Sequence, residues 1–183
     1  TGVNSTLEVA GAEGAFQSFD PTIAHGSVTR IEYWSATLGA KREAYVYTPP
    51  GYMAGTDRYP VLYLVHGARD SADSWTSVGH ANYIADNLLA AGAIEPMIIV
   101  MPFGHTPPNP QIDMLVNTDF GDDLIGELIP HVDGNFRTLA DADHRAMAGL
   151  SMGGAHTLNY GVPRPDLFGE VGVFPMALGF RSP

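Results

Sequence analysis

The residues with the clearest chemical signature lie in the segment from Arg145 to His156. Its centre reads Gly-Leu-Ser-Met-Gly, with a short apolar run before it and small, helix-compatible residues after it. This pattern is typical of a nucleophile elbow, in which a strand delivers a serine to a sharp turn and a helix begins directly behind it. Gly149, Gly153 and Gly154 supply the small flanking residues that such a strained turn needs. We therefore predict Ser151 as a nucleophile; the alternative is a glycine-rich turn between a buried strand and a helix.

A serine nucleophile also needs hydrogen-bond donors for the oxyanion that forms on the substrate. The N–H of Met152 follows the serine at the start of a helix, where backbone donors are unpaired. We predict the second donor at the N–H of Ala68, because Gly67 before it lets the backbone approach a substrate closely. His66 could act as a base, but its place before this glycine favours a structural role that shapes the oxyanion loop.

The acid and base of a catalytic triad are not evident. In this architecture both follow the serine along the chain, yet His156 is the sole histidine after Ser151. We expect His156 to point back into its own helix region, away from the serine hydroxyl. Asp166 and Glu170 come too early to lie after a separate strand. His105 is the one upstream histidine expected on a loop at the correct edge of the sheet, and we do not assign it as the base.

The elements that must position these residues follow from the apolar pattern. Alternating residues predict an antiparallel hairpin over 28–36 and 41–47, after an N-terminal arm, 1–27, with little regular structure. Continuous apolar runs predict buried strands, and apolar residues at helical spacing predict the helices between them. In chain order these are a strand at 59–65, a helix at 79–91, a strand at 97–101, a helix at 119–135, a strand at 145–150, a helix at 152–160 and a strand at 169–174.

Strands that alternate with helices indicate an α/β domain, 28–183, with a mostly parallel sheet. In such a sheet the ligand binds beyond the carboxyl ends of the strands. The loop from His66 to Trp75, the loop from Phe103 to Pro110 and the elbow at Ser151 all leave that edge. We therefore expect these three segments to form the site.

Three acidic residues, Asp119, Asp122 and Asp123, crowd the start of the second predicted helix. A metal site is one interpretation, but the helix dipole favours negative charge at this end, so we predict no metal. Pro130 lies inside the same helix and should kink it, because proline lacks a backbone donor.

The overall composition limits the classes of function. The 183 residues carry a formal net charge of −11, which argues against nucleic acid and anionic membranes as partners. The absence of cysteine excludes disulfides and thiol catalysis. No apolar run approaches the length of a transmembrane helix. The chain starts at Thr1 without a visible signal peptide, which is expected of a mature secreted protein or of a domain excised from a larger one.

Several separate motifs occur in register between residues 28 and 174. They are Thr48-Pro49-Pro50-Gly51-Tyr52, the segment 59–67 ending in His66-Gly67, the segments 81–89 and 96–102, Leu128-Ile129-Pro130, and the segment 144–154 that contains the elbow. Together they resemble the esterase D-like α/β-hydrolases, and most of all the feruloyl esterase and acetyl xylan esterase group of carbohydrate esterase family 1.

The resemblance implies an α/β-hydrolase sandwich that is secreted and hydrolyses ferulate or acetate esters of plant cell-wall xylan without a cofactor. It implies an acyl-enzyme on Ser151 and oxyanion donors at Ala68 and Met152. It also implies that Trp75 and the loop containing His105 lie near the acyl or sugar pocket, although loop packing explains Trp75 equally well.

In the family that this chain resembles, the acid and base lie on loops after two further strands. We therefore expect the fold to lack its last strands, as in a shortened form or fragment of a normal esterase. There are two alternatives: a second chain supplies the missing part, or the protein is a non-catalytic carbohydrate-binding relative. A different activity is also open, because an acyltransferase of mycolyltransferase type would use the same elbow. The strand Val171–Phe174 would be an apolar edge, which predicts self-association through it.

Overall fold

A computed structural model of the chain describes residues 11–106 and 118–174. The described strands form a six-stranded mixed sheet. In chain order they are β1 (Ser27–Ser35), β2 (Ala40–Thr48), β3 (Val61–Val65), β4 (Ile98–Pro102), β5 (Arg145–Gly149) and β6 (Glu170–Val173). Their order in the sheet is β1-β2-β4-β3-β5-β6. β1, β2 and β4 pair antiparallel, whereas β4, β3, β5 and β6 run parallel, which confirms the predicted hairpin and the mostly parallel sheet.

Neighbouring residues along a strand point to opposite faces of the sheet. Both faces are apolar here, and helices cover both of them. Tyr63 packs in one apolar cluster and the next residue, Leu64, packs in the other. In the described part, no helix is both long and apolar enough to cross a membrane. The described α-helices are α1 (Ser74–Ser77), α2 (Ala81–Ala90), α3 (Asp119–Asp123), α4 (Ile129–Asn135) and α5 (Met152–His156).

Two of the predicted helices contain π-helical turns. Leu124–Leu128 joins α3 to α4, and Thr157–Gly161 extends α5. Pro130 lies directly after the π-helical turn, inside one continuous helical stretch from 119 to 135. Proline lacks a backbone donor and crowds the carbonyl four residues earlier, that of Gly126, so the irregular turn lies where Pro130 is expected to disturb the helix.

The N-terminal arm is more regular than predicted. Ala12–Gln17 forms a 3-10 helix. The buried carboxylate of Asp86 in α2 accepts hydrogen bonds from the Gly26 N–H at 2.9 Å and the Tyr47 hydroxyl at 2.7 Å, and it contacts His25 Nδ1 at 2.9 Å. Residues 18–26 form no helix or strand, as predicted, whereas the 3-10 helix was not predicted; its end is held by Asn87 in α2, which donates to the carbonyls of Phe16 and Ser18.

Asp123 has a different role from the one that its position in the sequence suggested. Its buried carboxylate accepts hydrogen bonds from Arg42 Nε at 3.1 Å and from the Tyr33 hydroxyl at 2.8 Å. It is therefore half of a buried ion pair between α3 and β2, whereas Asp119 and Asp122 do lie in the first turn of α3. Among residues 11–106 and 118–174, no cluster of three or more His, Asp or Glu side chains could hold a metal ion.

Candidate active site

Ser151 lies in a strained turn between β5 and α5. Its φ of 53° and ψ of −108° place it outside the helical and extended regions that non-glycine residues favour. The flanking glycines are needed for close packing. A Cβ on Gly149 would lie 2.3 Å from the carbonyl oxygen of Gly153, and a Cβ on Gly153 would lie 2.3 Å from that of Val65. The backbone strain thus falls on the serine itself, as in a nucleophile elbow.

The loop that follows β3 lies directly beside this serine. Val65 pairs with Gly149 at the carboxyl ends of β3 and β5, so the two loops leave the sheet together. A Cβ placed on Gly67 would lie 3.7 Å from Cβ of Ser151. The predicted oxyanion loop and the predicted nucleophile are therefore neighbours. They are neighbours because β3 and β5, which are not consecutive in the chain, pair in parallel.

Both predicted oxyanion donors have an available N–H. Ala68 lies in an exposed turn that the Asp70 N–H closes on the Gly67 carbonyl at 3.3 Å. Met152 is the first residue of α5, where a backbone N–H has no partner within the helix. Neither N–H donates to a protein acceptor in the described part of the chain. The two N–H groups are therefore candidate oxyanion donors, and the roles of Ala68 and Met152 stay predictions.

His66 is a buried structural residue. Its Nδ1 lies 2.8 Å from the Gly67 carbonyl oxygen, and its Nε2 accepts the Gly104 N–H at 2.9 Å. Burial lowers the pKa of His66, which keeps the ring neutral. With both ring nitrogens engaged, His66 has no free position from which to accept a proton from Ser151, in agreement with the structural interpretation.

His156 is buried between its own helical stretch and two neighbouring segments. Its Nε2 contacts the Gly104 carbonyl oxygen at 3.2 Å, and its ring stacks on Phe120 at a centroid distance of 4.2 Å. Its ring also lies 5.9 Å from the ring of Tyr160 in the same helical stretch, so it stays in the helix region as expected and in addition contacts the loop after β4. Burial lowers the pKa of His156 to about 4. As expected, it makes no hydrogen bond with the hydroxyl of Ser151.

His105 lies next to the oxyanion loop without reaching the serine. Its ring is 5.2 Å from the ring of His66, and its carbonyl accepts Arg42 Nη1 at 2.6 Å. In residues 11–106 and 118–174, no hydrogen bond joins the Ser151 hydroxyl to a histidine or a carboxylate. Residues 107–110 of the predicted substrate loop lie outside the described residues.

A pocket of about 120 Å³ opens beside the elbow. The indole of Trp75 forms one wall and contacts the ring of Phe174 in a tilted arrangement at a centroid distance of 5.9 Å, and the indole N–H has no acceptor in the described part. The structure thus brings Trp75 close to Gly67 while also giving it a packing role. The lining residues are His66, Gly67, Asp70, Ser74, Trp75, Val78, Gly79 and Leu150.

The sequence analysis missed one buried residue next to the site. Arg42 on β2 is buried, and it alternates with the buried residues Ala44 and Val46 on the same face of the strand. An arginine at an inward position of an alternating strand was the signal that could have identified it, because a buried charge requires partners.

The apolar edge predicted for the last strand is present. β6 is the end strand of the described sheet, and Val171, Val173 and Phe174 are exposed there. Self-association through this edge stays a prediction.

The mixed sheet, the helices on both faces and the serine elbow at the carboxyl edge define an α/β-hydrolase fold. The family model "Putative esterase" matches residues 35–178, and the chain belongs to this esterase family. The resemblance seen in the sequence is thereby confirmed.

Individual relatives agree with this assignment. The chain is 41% identical over 175 residues to the endo-1,4-beta-xylanase/feruloyl esterase of Xylanibacter ruminicola, covering 92% of this chain and 24% of that protein. It is 35% identical to an esterase of Mycobacterium tuberculosis, covering 70% and 27% respectively. It spans about a quarter of each of these curated relatives. The CE1 ferulic acid esterase of Anaeromyces mucronatus, in complex with ferulic acid, superimposes with a TM-score of 0.80 at 26% identity, covering 95% of this chain and 67% of that one.

Proposed function

We propose that this chain carries the nucleophile and oxyanion hole of a serine carboxylesterase acting on ferulate or acetate esters of plant cell-wall xylan. The observation that supports this most strongly is the position of Ser151. Its strained elbow lies beside two backbone N–H groups, at Ala68 and Met152, that have no protein acceptor in the described part.

The chemistry follows from this arrangement. The Ser151 hydroxyl loses its proton as Oγ attacks the ester carbonyl carbon, and the carbonyl oxygen becomes an oxyanion that the two N–H groups stabilise. Collapse of this intermediate breaks the ester C–O bond, and the alcohol leaves with a proton. Water then attacks the acyl-enzyme, releases the acid and restores the serine. None of the described residues is in place to accept or donate these protons, so in this proposal water accepts the proton of Ser151 and supplies the proton of the leaving alcohol.

The substrate class rests on the relatives and on the pocket. The names of two relatives contain feruloyl esterase or ferulic acid esterase. The pocket beside the elbow has an indole wall from Trp75, with Val78 and Leu150 nearby, which suits an aromatic acyl group. His105, close to His66, is proposed to lie beside the alcohol side of the ester. Secretion is part of the proposal, because the xylan substrate is extracellular.

The test is hydrolysis of methyl ferulate and an acetyl aryl ester, together with covalent labelling by a fluorophosphonate. We expect the chain to release ferulate and to be labelled, and Ser151→Ala to lose both. Ser77→Ala, which changes an exposed serine outside the pocket, is the matched control and should behave as the wild type. Equal hydrolysis by the wild type and Ser151→Ala would refute the assignment of the nucleophile.

A second candidate is a carbohydrate-binding relative without catalysis. It is favoured by one observation, namely that the Ser151 hydroxyl contacts no acid or base among the described residues. This function predicts retention on insoluble xylan, no release of ferulate and no labelling of Ser151. Labelling and turnover in the wild type would exclude it.

A further inference from the structure

A chain of hydrogen bonds leads from the elbow helix to the oxyanion loop. It passes through the β4 loop, which we define as Phe103–His105. His156 in α5 contacts the Gly104 carbonyl at 3.2 Å, and the Gly104 N–H donates to His66 Nε2 at 2.9 Å. Nδ1 of His66 then contacts the Gly67 carbonyl at 2.8 Å. Two buried histidines and the two peptide groups that flank the Gly104 Cα thus connect α5 to the residue before Ala68.

The direction of each bond is determined by chemistry. A carbonyl only accepts, so Nε2 of His156 carries a proton and donates it to Gly104. A backbone N–H only donates, so Nε2 of His66 is the bare nitrogen, and the proton of this ring lies on Nδ1. Nδ1 of His66 therefore donates to Gly67. Both tautomers are specified, and the chain of bonds requires His66 to be neutral.

The last bond sets the orientation of a predicted oxyanion donor. The Gly67 carbonyl accepts from His66 Nδ1 and also from the Asp70 N–H at 3.3 Å. Because a trans peptide is planar, the N–H of Ala68 points opposite to the Gly67 carbonyl. A donor that holds this carbonyl therefore also aims the Ala68 N–H.

The β4 loop is held from its other side by a buried cation. Arg42 donates from Nη2 to the Phe103 carbonyl and from Nη1 to the His105 carbonyl, both at 2.6 Å. Its Nε donates to Asp123 at 3.1 Å, which neutralises the buried charge. Arg42 thus holds the Phe103–Gly104 peptide, which carries the Gly104 N–H, whereas His156 holds the Gly104–His105 peptide, so the two side chains together restrain the backbone on both sides of the Gly104 Cα.

We propose that His156 is a positioning residue for the oxyanion hole, acting through Gly104 and His66 on the direction of the Ala68 N–H. It touches neither Ser151 nor the substrate pocket. The proposal rests on the proposed esterase function for its kinetic test, and on the geometry alone for its spectroscopic test.

The kinetic test compares His156→Leu, which removes the donor, with His156→Gln, whose amide N–H2 can occupy the place of Nε2. We expect kcat for methyl ferulate to fall about tenfold in His156→Leu, less than the 10²-fold or greater loss of a whole oxyanion donor. KM should stay within about twofold, because the ground-state contacts are untouched. His156→Gln should recover most of kcat. An unchanged kcat in His156→Leu, or an equal loss in both variants, would overturn the proposal.

The spectroscopic test does not depend on turnover. Long-range ¹H–¹⁵N spectra of the whole chain should show His66 with its proton on Nδ1. The amide signals of Gly104 and Ala68 should shift in His156→Leu and return towards the wild-type positions in His156→Gln. His144→Leu, which changes an exposed histidine paired with Asp141, is the matched control and should leave these signals in place.

These readouts separate the two proposals. If fluorophosphonate fails to label Ser151 while the Gly104 and Ala68 signals respond to His156→Leu, the esterase proposal fails and the positioning network stands. If the label reacts with Ser151 and those amide signals do not move, the positioning role of His156 is refuted and the esterase proposal stands. A proton on Nε2 of His66 would also refute the network.

Discussion

Acid should destabilise the fold through His156, and the size of the effect follows from its burial. The pKa of this imidazole falls from 6.5 to about 4 in the folded state, chiefly because burial disfavours the charged ring. At acid pH the unfolded chain therefore binds a proton that the folded chain does not bind. The contribution is fully present above about pH 6.5 and is lost as the pH falls towards 4.

The magnitude follows from the shift in pKa. Each pKa unit corresponds to about 1.4 kcal/mol, so the complete loss is on the order of 3 kcal/mol. About 2 kcal/mol of this should be gone at pH 5, where the unfolded imidazole is almost fully protonated and the folded one is mostly neutral. A loss of this size is a large fraction of the stability of a typical domain.

The assay is urea unfolding at about pH 7.5 and about pH 5, followed by circular dichroism. The free energy of unfolding of the wild type should fall by about 2 kcal/mol more than that of His156→Gln over this interval. Carboxylates that titrate in both proteins change the two free energies of unfolding by the same amount, so their contribution cancels in the comparison. Equal losses in the two proteins would refute the reasoning.

His25 supplies a control of opposite sign. Its hydrogen bond with Asp86 raises the pKa of His25, so its stabilising contribution is present at acid pH and lost as the pH rises through the folded-state pKa. His25→Gln should therefore lose more stability than the wild type on acidification, whereas His156→Gln should lose less.

Three further predictions follow from buried contacts. Gly153→Ala should destabilise the fold by about 3 kcal/mol in thermal unfolding, because the new Cβ would meet the Val65 carbonyl at 2.3 Å. Arg42→Met should cost about 3 to 5 kcal/mol in urea unfolding, since it leaves the buried carboxylate of Asp123 without its cation. Asp86→Ala should release the N-terminal arm and speed limited chymotrypsin cleavage within it.

Each of these has a comparison that can contradict it. Gly134→Ala, where a Cβ meets nothing within 4 Å, should be tolerated, and an equal loss in the two alanine variants would refute the packing argument. Arg42→Lys keeps the charge and should be milder than Arg42→Met; the reverse order would contradict the ion-pair explanation. Unchanged cleavage in Asp86→Ala would show that other contacts hold the arm.

Much of the fold was predictable because its signals are local. Four continuous apolar runs identified β3, β4, β5 and β6, and alternation identified the hairpin. A strand buried on both faces, such as β4, is apolar at every position, whereas one buried on a single face alternates. β6 has an apolar run although it is an exposed edge strand of the described sheet. The boundaries agree within about two residues, as is usual for end assignments. The N-terminal 3-10 helix carried no comparable periodic signal and was missed.

The partners of the buried polar groups were not predictable in the same way. Arg42 lies 81 residues from Asp123, and His156 lies 52 residues from Gly104. No spacing rule connects such distant positions, because the partner depends on which strands become neighbours. The sheet places β4 between β2 and β3, and this order brings Arg42, Gly104 and His66 together.

The local pattern was sufficient to place Ser151 in an elbow, because a turn this tight demands glycine at defined neighbours and a strand and helix on either side. It also determined the two backbone donors as candidates, since they follow from the ends of predicted elements. The orientation of the oxyanion loop and the contacts of His66, His156 and Arg42 depend instead on how the strands and helices pack. A buried hydrogen bond has a direction and a partner in space, and neither exists until the parallel strands pair.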